Sequence, residues 1–294
     1  MDWRWPDAPV TVSATWHHAL VNPIAARYDR AADRYDRWWA PVIAPMAALT
    51  LPPLDELVAT TRGARLLDVG TGSGTLLLAA LQRWPEAHLV GTDASGGMLA
   101  AARGRIANEL PGAAGRFRLE HAEADRQPLA DGSIDAVISS FVFQLVPDRP
   151  AALREMRRVL RPGGRLSIMT WLGETSDFAP DDALDDALDE LGVDVPDEPE
   201  EPRSGNFSSA PAAAAQVRRA GFRRVRAEPL QLAHRYGRSS YLDFLEQYGE
   251  RELFEALSPK VRREVRRVTA NLLAAIPEEG WTWRAAVVLI TATA

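Results

Sequence analysis

Compact apolar runs alternate with amphipathic segments of helical spacing between residues 64 and 171. Each run has the length of a strand, and each intervening segment is long enough for a helix. This alternation predicts a doubly wound α/β fold around a parallel sheet, whose ligands bind beyond the carboxyl ends of the strands. The predicted strands are 64–69, 87–92, 116–121, 135–140 and 165–171, and the helices between them are 75–84, 96–109 and 148–160.

The segments on either side of this alternation have different patterns. Residues 23–48 show helical spacing broken by Pro41 and Pro45, which predicts one or two amphipathic helices packed over the rest. Residues 173–207 are acidic and poor in apolar positions, which favours a mobile lid or a solvated excursion. Helices at 211–221, 241–248 and 261–276 and strands at 222–234 and 283–293 complete the chain. We therefore predict a helical cap at 1–55, a core at 56–172, an acidic lid insertion at 173–210, and a C-terminal part of the sheet with further helices at 211–294.

A glycine-rich turn joins the first strand to the first helix of the core. Asp68 ends the apolar run, and Gly70, Gly72 and Gly74 follow at alternating positions. The dinucleotide fingerprint needs its third glycine at the position of Thr75, and a phosphate-binding loop needs a lysine. The turn therefore predicts close backbone approach to a ligand without a phosphate grip, with Asp68 free to receive a cationic group.

A second acid, Asp93, ends the next strand. A carboxylate at this place suits a ribose diol, because its oxygens accept hydrogen bonds from both hydroxyls. The alternative is a helix N-cap or a turn acid, and the neighbouring glycine turn favours the ribose interpretation.

Four segments in order resemble the motifs of the class I S-adenosylmethionine-dependent methyltransferases, in the quinone-biosynthesis-like (methyltransferase type 11) branch. They are residues 67–74, 90–93, 128–135 and 158–164, and the resemblance covers roughly residues 60–172. It implies a Rossmann-like, seven-stranded, mostly parallel sheet with an antiparallel last strand. It also implies an enzyme with S-adenosylmethionine as its cofactor.

The resemblance also implies roles for individual residues. Asp68 would lie near the amino group of the cofactor and Asp93 at its ribose hydroxyls, and one aromatic residue of the cap, Tyr35, would cover it. Two Tyr-Asp pairs occur in the cap, at Tyr28 and Tyr35, and the second is the better match. The other residues implied to line the cofactor are Gly70, Thr71, Gly72 and Gly74 of the turn, Ala94 and Met98 near the adenine, Glu123 and Ala124 with Asp125 as the alternative acid, and Ser139 and Ser140 after the fourth strand.

The aromatic residues outside the core motifs predict a pocket for a hydrophobic small molecule, such as a natural product, a quinone or an isoprenoid. Related enzymes often carry a histidine after the fourth strand, where this chain has Gln144. No general base is therefore assigned, although His17 and His18 of the cap could reach the site. The residues predicted to bind the substrate are Trp38, Trp39, Phe143, Gln144, Trp171 and Tyr241.

Composition excludes several classes of site and partner. The 294 residues include no cysteine, so disulfides, thiolate catalysis and cysteine-based zinc sites are excluded, and no metal site is predicted. Net charge is -6, and the 13 acids between Glu174 and Glu201 are accompanied by no base. The remainder is net positive but carries no clear basic stripe, so nucleic acid is not an expected partner.

The amino terminus lacks the pattern of a signal peptide, and we count no apolar run of membrane-spanning length, so a cytoplasmic protein without a membrane partner is expected. Two alternative functions stay open. The same cofactor fold can support other chemistry, such as a cyclisation. The arginine-rich stretches 218–226 and 251–267 invite an RNA methyltransferase.

Overall fold

A seven-stranded sheet in the order β3-β2-β1-β4-β5-β7-β6 forms the centre of the computed structural model, which describes residues 22–173, 178–194 and 203–294. Strands β1 to β5 pair in parallel, and β7 runs antiparallel to both β5 and β6. This arrangement confirms the predicted fold class. The strands are β1 Arg65–Val69, β2 His88–Asp93, β3 Phe117–His121, β4 Ile134–Ser140, β5 Leu160–Trp171, β6 Arg223–Arg235 and β7 Thr282–Thr293.

The helices cover both faces of the sheet. Several begin where the sequence supplies a side-chain cap, as at Ser95 before α5 and Asp148 before α6, whose oxygens accept the first free N–H groups. The helices are α1 Pro23–Trp38, α2 Ala40–Ala48, α3 Asp55–Thr60, α4 Thr75–Arg83, α5 Gly96–Glu109, α6 Arg149–Val159, α7 Ala179–Leu191, α8 Ala210–Arg219, α9 Arg238–Phe244, α10 Arg251–Ala256 and α11 Pro259–Ala275. A π-helical turn, Leu245–Gly249, follows α9.

Alternation along the strands divides the core between the two faces. Leu66 and Ile138 belong to a cluster under α4 on one face, whereas Leu67 and Val137 belong to a cluster under α6 and α8 on the other. A third cluster contains Met169 of β5, next to Ile168 of the second cluster, so it lies on the α4 face over β5, β7 and β6. Apolar residues of α1, α2, α7 and α11 complete it.

The acidic segment departs from the sequence expectation where it is described. Helix α7 buries Leu184 and Leu188 in the third cluster while its acids face outward. The spacing of these leucines supplies an apolar face that the low average hydropathy of the segment conceals. This part of the segment is therefore packed against the body of the fold, and the four-part domain division stays a prediction.

One helical stretch, Ala40–Thr60, is long and apolar enough to cross a membrane by length and composition. The expectation that no such run exists was therefore too strong. The stretch is divided among α2, a 3₁₀ turn and α3, and it buries Ala47, Leu51 and Leu54 within the protein core. Core helices pass the same test, so it is weak evidence for a membrane span.

Candidate functional site

The glycine turn lies at the carboxyl end of β1, where the backbone takes left-handed conformations. Gly70 and Gly72 have φ of 69° and 54°. A Cβ on Gly70 would lie 2.2 Å from Cγ2 of Val142, whereas a Cβ on Gly72 would meet no atom of the described residues within 4 Å. The Thr71 N–H donates to the carbonyl of Thr92 at 2.9 Å, which fixes the turn to β2. The turn is therefore packed on one side and open at Gly72, where a ligand can approach its backbone.

Asp68 is a buried acid with unused hydrogen-bonding capacity. Its side chain is 1% exposed, and its Oδ2 accepts a hydrogen bond from the Thr71 hydroxyl at 2.8 Å. Its Oδ1 is buried and has no partner among the described residues. Burial, assisted by the charge of Asp93 and opposed by the Thr71 bond, raises the pKa of Asp68 to about 7. A cationic group at Oδ1 would satisfy this carboxylate and favour its ionised form.

Asp93 connects the glycine turn to the beginning of α5. Its Oδ2 accepts the Gly72 N–H at 2.8 Å and its Oδ1 accepts the Ser95 N–H at 2.9 Å. Burial raises the pKa of the carboxyl group, and these two bonds oppose that effect. Each oxygen keeps a further lone pair, so the carboxylate can accept hydroxyl groups in addition to the backbone.

The residues implied to surround an adenine lie beside Asp93. Met98 is buried at 1% exposure, and the carbonyl of Ala94 lies 2.7 Å from Nε2 of His121. Both oxygens of Glu123 accept from Nδ2 of Asn22, the N-cap of α1, at 3.1 and 3.2 Å. Ala124 packs against the second cluster and Asp125 is exposed. The choice between Glu123 and Asp125 stays a prediction.

Helix α1 covers this part of the site through the earlier of its two Tyr-Asp pairs. Oδ1 of Asp29 accepts the Ser95 hydroxyl at 2.5 Å and the Gly97 N–H at 2.8 Å. The Ser95 bond is the main reason why the pKa of Asp29 is lowered. A Cβ on Gly97 would come within 3.2 Å of the Asp29 backbone, so the absence of a side chain there permits the contact.

Tyr35 lies on the same helix, closer to Asp93. Burial, together with neighbouring phenols and the charges of Asp93 and Asp36, raises the pKa of Tyr35 well above its usual value. Its ring makes edge contacts with Tyr28 at 6.0 Å and Tyr248 at 6.3 Å. Tyr35 is thus a neutral phenol between the acids of the cofactor side and a group of aromatic rings.

These rings form what we call the aromatic cluster, consisting of Trp39, Phe141, Trp171, Tyr248 and Trp283. Trp39 lies 6.3 Å from Trp171, 6.5 Å from Tyr248 and 5.8 Å from Trp283, measured between ring centroids. Trp171 also lies 4.5 Å from Phe141. The structure thus brings two predicted substrate residues, Trp39 and Trp171, together at the carboxyl ends of β4 and β5.

Phe141 has a strained backbone that the sequence did not indicate. It follows β4 with φ of 57°, a conformation uncommon for a residue with a side chain. Gln144 supports it, because Nε2 of Gln144 donates to the Phe141 carbonyl at 2.6 Å and its Oε1 accepts from Thr170 at 3.1 Å. These two hydrogen bonds give Gln144 a supporting role within the protein, and its predicted contact with a substrate stays a prediction.

Phe143 was also predicted to line the substrate site, and the structure places it elsewhere. It is 1% exposed in the second core cluster, on the sheet face opposite Trp171. The chain reverses direction after β4, and Phe143 points into the core under α6. The spacing of apolar residues in the sequence did not indicate this orientation. Ser139 is occupied as well, because its hydroxyl donates to the Val69 carbonyl at 2.7 Å, whereas Ser140 is half-buried.

The remaining predicted substrate residues lie beyond the aromatic cluster. Trp38 contacts Phe244 at 6.2 Å, and Tyr241 is 1% exposed with its hydroxyl bonded to Asp181 of α7. Tyr241 is therefore part of a wall behind the site. His17 and His18 lie outside the described residues.

Sequence reasoning missed two residues of this site besides Asp29, namely Phe141 and Trp283, whereas Tyr248 ends the stretch 236–248 that the sequence favoured for the substrate pocket. Trp283 begins a strand whose pairing to β5 is not visible in the sequence, and Tyr248 lies on the π-helical turn. The first Tyr-Asp pair was the available indication for Asp29. The contacts of all these residues with a cofactor or substrate stay predictions.

Comparison with known proteins agrees with this geometry. Residues 67–168 match the family model of a methyltransferase domain. The chain is 36% identical over 161 residues to a ubiquinone/menaquinone biosynthesis C-methyltransferase of Syntrophotalea carbinolica, covering 53% of this chain and 62% of the relative. It is 34% identical over 145 residues to the demethylmenaquinone methyltransferase of Clavibacter sepedonicus, covering 49% and 56%. These matches span little more than half the length of either relative.

Two solved structures share the fold at low sequence identity. The [4+2]-cyclase SpnF superposes with a TM-score of 0.57 at 17% identity, covering 93% of this chain and 95% of the cyclase. A Haemonchus contortus phosphoethanolamine N-methyltransferase, solved with S-adenosylhomocysteine, gives 0.54 with 17% identity, covering 90% of this chain and 57% of the enzyme. At this identity the two structures show the fold alone, and the family match over residues 67–168 supports the resemblance that the four motifs predicted.

Proposed function

We propose that this chain, whose residues 67–168 match a methyltransferase domain, is a class I S-adenosylmethionine-dependent methyltransferase. It transfers a methyl group from S-adenosylmethionine to a hydrophobic small molecule. The observation that carries the proposal lies within the matched domain. Asp68 is a buried acid with one oxygen that has no partner in the described part of the chain, beside a glycine turn that is open at Gly72 and bonded to Asp93.

The residues present fit this cofactor. The α-amino group of the methionine part would satisfy Oδ1 of Asp68, and ribose hydroxyls would use the remaining lone pairs of Asp93. Both acids have their pKa values raised by burial, so a cationic ligand would offset the cost of their ionisation. When bound, S-adenosylmethionine supplies an electrophilic methyl group on a sulfonium sulfur.

The protein's part in such a reaction is mainly alignment. Holding acceptor and methyl donor in line can supply ~7–11 kcal/mol of the barrier in favourable cases. Tyr35 and the aromatic cluster present ring faces that favour a sulfonium cation and exclude water. Gln144 stands where related enzymes often carry a histidine, and His234 of β6 pairs with Trp283 of the cluster across the sheet. We assign no general base, and we propose an acceptor that needs little deprotonation.

The aromatic cluster also supports a flat, apolar acceptor. Its rings lie at the carboxyl ends of β4 and β5 and at the start of β7, between α1 and the sheet. Two relatives of the chain are named as a C-methyltransferase of ubiquinone/menaquinone biosynthesis and a demethylmenaquinone methyltransferase. A quinone or a natural product with an aromatic ring is therefore the acceptor class that we propose.

The test separates cofactor binding from methyl transfer. Binding of S-adenosylmethionine is measured by calorimetry, and the methyl-labelled cofactor is then incubated with a panel containing a demethylated naphthoquinone, simple phenols and RNA. We expect binding and a labelled quinone or phenol. Binding with substrate consumption but no label would favour the cyclisation alternative, and label in RNA would favour the RNA methyltransferase. Absence of binding would overturn the cofactor assignment itself.

A further inference from the structure

A cavity beyond the aromatic cluster indicates which end groups an acceptor carries. It lies between the end of α1, the start of α2, and the residues that join β6 to α9, and it has a volume of about 220 Å³. Because β7 is antiparallel to both β5 and β6, β6 runs in the same direction as the parallel strands. Its carboxyl end, with His234 and Arg235, is therefore at the same edge of the sheet as Asp93.

Aromatic rings connect this cavity to the cofactor side. Tyr35, near Asp93, contacts Tyr248 at 6.3 Å, and Tyr248 contacts Phe244 at 5.9 Å. Phe244 lines the cavity together with Trp38, at 6.2 Å, and Tyr236, at 5.3 Å. A continuous series of ring contacts therefore runs from Tyr35 to the cavity.

The cavity differs from the aromatic cluster in its charge. Arg37 and Arg235 line it, and none of the described residues that line it is acidic. Glu278 is bonded to Arg235, but it also pairs with Arg238 at 3.1 Å, so one carboxylate serves two guanidinium groups. The guanidinium of Arg37 lies 4.7 Å from the centre of the Trp38 ring and has no carboxylate partner among the described residues. The residues that line the cavity are thus net positive, and Glu278 and Asp181, whose charge adds to the effect of burial in raising the pKa of Tyr236, offset part of that charge.

Neutral donors accompany this charge. Nε1 of Trp38 is buried without a partner among the described residues, and Ser240 and His234 also line the cavity. Burial lowers the pKa of His234, so its ring is a neutral hydrogen-bonding group. Arginines and neutral donors around an apolar floor form a suitable environment for one anionic group on an apolar molecule.

We propose that this cavity binds the anionic end of the acceptor, a carboxylate or phosphate group joined to the apolar or aromatic body that receives the methyl group. The inference rests on the proposed function, because it places this cavity at the outer end of the acceptor site. It names Arg37 and Arg235 as the residues that select for the charge.

The test uses two fluorescent probes of similar aromatic shape, the anionic 1-anilinonaphthalene-8-sulfonate and the neutral N-phenyl-1-naphthylamine. Binding is measured at fixed ionic strength with S-adenosylhomocysteine present, so that the cofactor side is blocked. We expect the intact protein to bind the anion at least about fivefold more tightly than the neutral probe, and Arg37→Gln/Arg235→Gln to lose this preference.

A control removes the same charge elsewhere. Arg219→Gln/Arg223→Gln changes two exposed arginines at the end of α8 and the opposite end of β6, and it should keep the preference. Displacement of the anionic probe by octanoate and octyl phosphate, but not by 1-octanol, would show which anion is favoured.

Equal binding of the two probes to the intact protein would overturn the inference. So would a preference that survives in the Arg37/Arg235 variant, or one that is lost equally in the control variant. Circular dichroism and thermal unfolding establish that each variant is folded. Because the probes accept no methyl group, these outcomes are independent of the labelled-cofactor test, and S-adenosylmethionine binding can succeed where this inference fails.

Discussion

The proposed cofactor side and the proposed acceptor side of the site are built by different physical means. On the cofactor side, buried carboxylates and backbone N–H groups form hydrogen bonds over short sequence distances, as between Asp68 and Thr71. On the acceptor side, rings from α1, β5 and β7 meet from distant parts of the chain, as between Trp39 and Trp283. We expect the first side to bind by directed polar contacts and the second by shape and ring faces, so the two should respond differently to substitution.

The largest effect is expected for Asp93→Ala. It removes the proposed ribose acceptor and leaves the N–H groups of Gly72 and Ser95 without their partner, so affinity for S-adenosylmethionine should fall about 100-fold. Calorimetric titration measures it. Asp186→Ala, which changes an exposed acid of α7, should bind normally. A decrease of less than about tenfold would remove Asp93 from the cofactor site.

Trp171→Leu should weaken turnover of the acceptor and leave cofactor binding nearly unchanged, the reverse of what is expected for Asp93→Ala. It deletes the ring that contacts Phe141 at 4.5 Å and Trp283 at 5.7 Å, so kcat/KM for the acceptor should fall roughly 30-fold, while affinity for the cofactor changes less than about twofold.

The matched control for Trp171 is Trp84→Leu, which alters a buried ring under α4 that is bonded to Asp55 at 3.0 Å. We expect it to lower the free energy of unfolding by ~1–3 kcal/mol without a selective effect on the acceptor. If both tryptophan variants lose acceptor turnover equally, the effect of Trp171 is one of general stability.

This contrast also explains what the sequence could predict. The positions of the glycine turn, Asp68 and Asp93 at the strand ends were predictable because each depends on a residue type at a fixed distance from a strand end, whereas their contacts with a cofactor stay predictions. Phe143 was misplaced because the direction of the chain after β4 depends on the left-handed backbone at Phe141, which no residue preference indicates. Trp283 was missed because its place depends on the pairing of β7 with β5.

A pH dependence of cofactor binding is expected as well, and it is smaller than the effects of Asp93→Ala and Trp171→Leu. With the pKa of Asp68 raised to about 7, the carboxyl group is mostly protonated at pH 6 and mostly ionised at pH 8. A cationic amino group prefers the ionised form, so affinity for S-adenosylmethionine should rise about tenfold from pH 6 to pH 8. Asp68→Asn should bind weakly and lose this dependence, which separates the titration of Asp68 from that of the ligand. An unchanged profile in Asp68→Asn would contradict it.

The same group has a predicted effect on stability. Because the folded state holds the Asp68 proton more tightly than the unfolded chain, its contribution to stability falls as pH rises from about 4 to about 7. Asp68→Asn should therefore be more stable than the original protein at pH 8, by on the order of 1–3 kcal/mol, and similar to it near pH 4. Urea unfolding at both pH values measures the difference, and a destabilised variant at pH 8 would contradict it.

The smallest effect concerns the helix that joins the two sides. Gly97→Ala would place a Cβ within 3.2 Å of the Asp29 backbone and push α1 away from Ser95, so cofactor affinity should weaken about threefold. Gly96→Ala is the matched control, since its Cβ would meet no atom within 4 Å and the helix should only gain stability. Calorimetry on both variants decides the question. Equal affinities would mean that the Asp29 contact does not contribute to cofactor binding. Tyr35 would then keep its place near Asp93 without that contact.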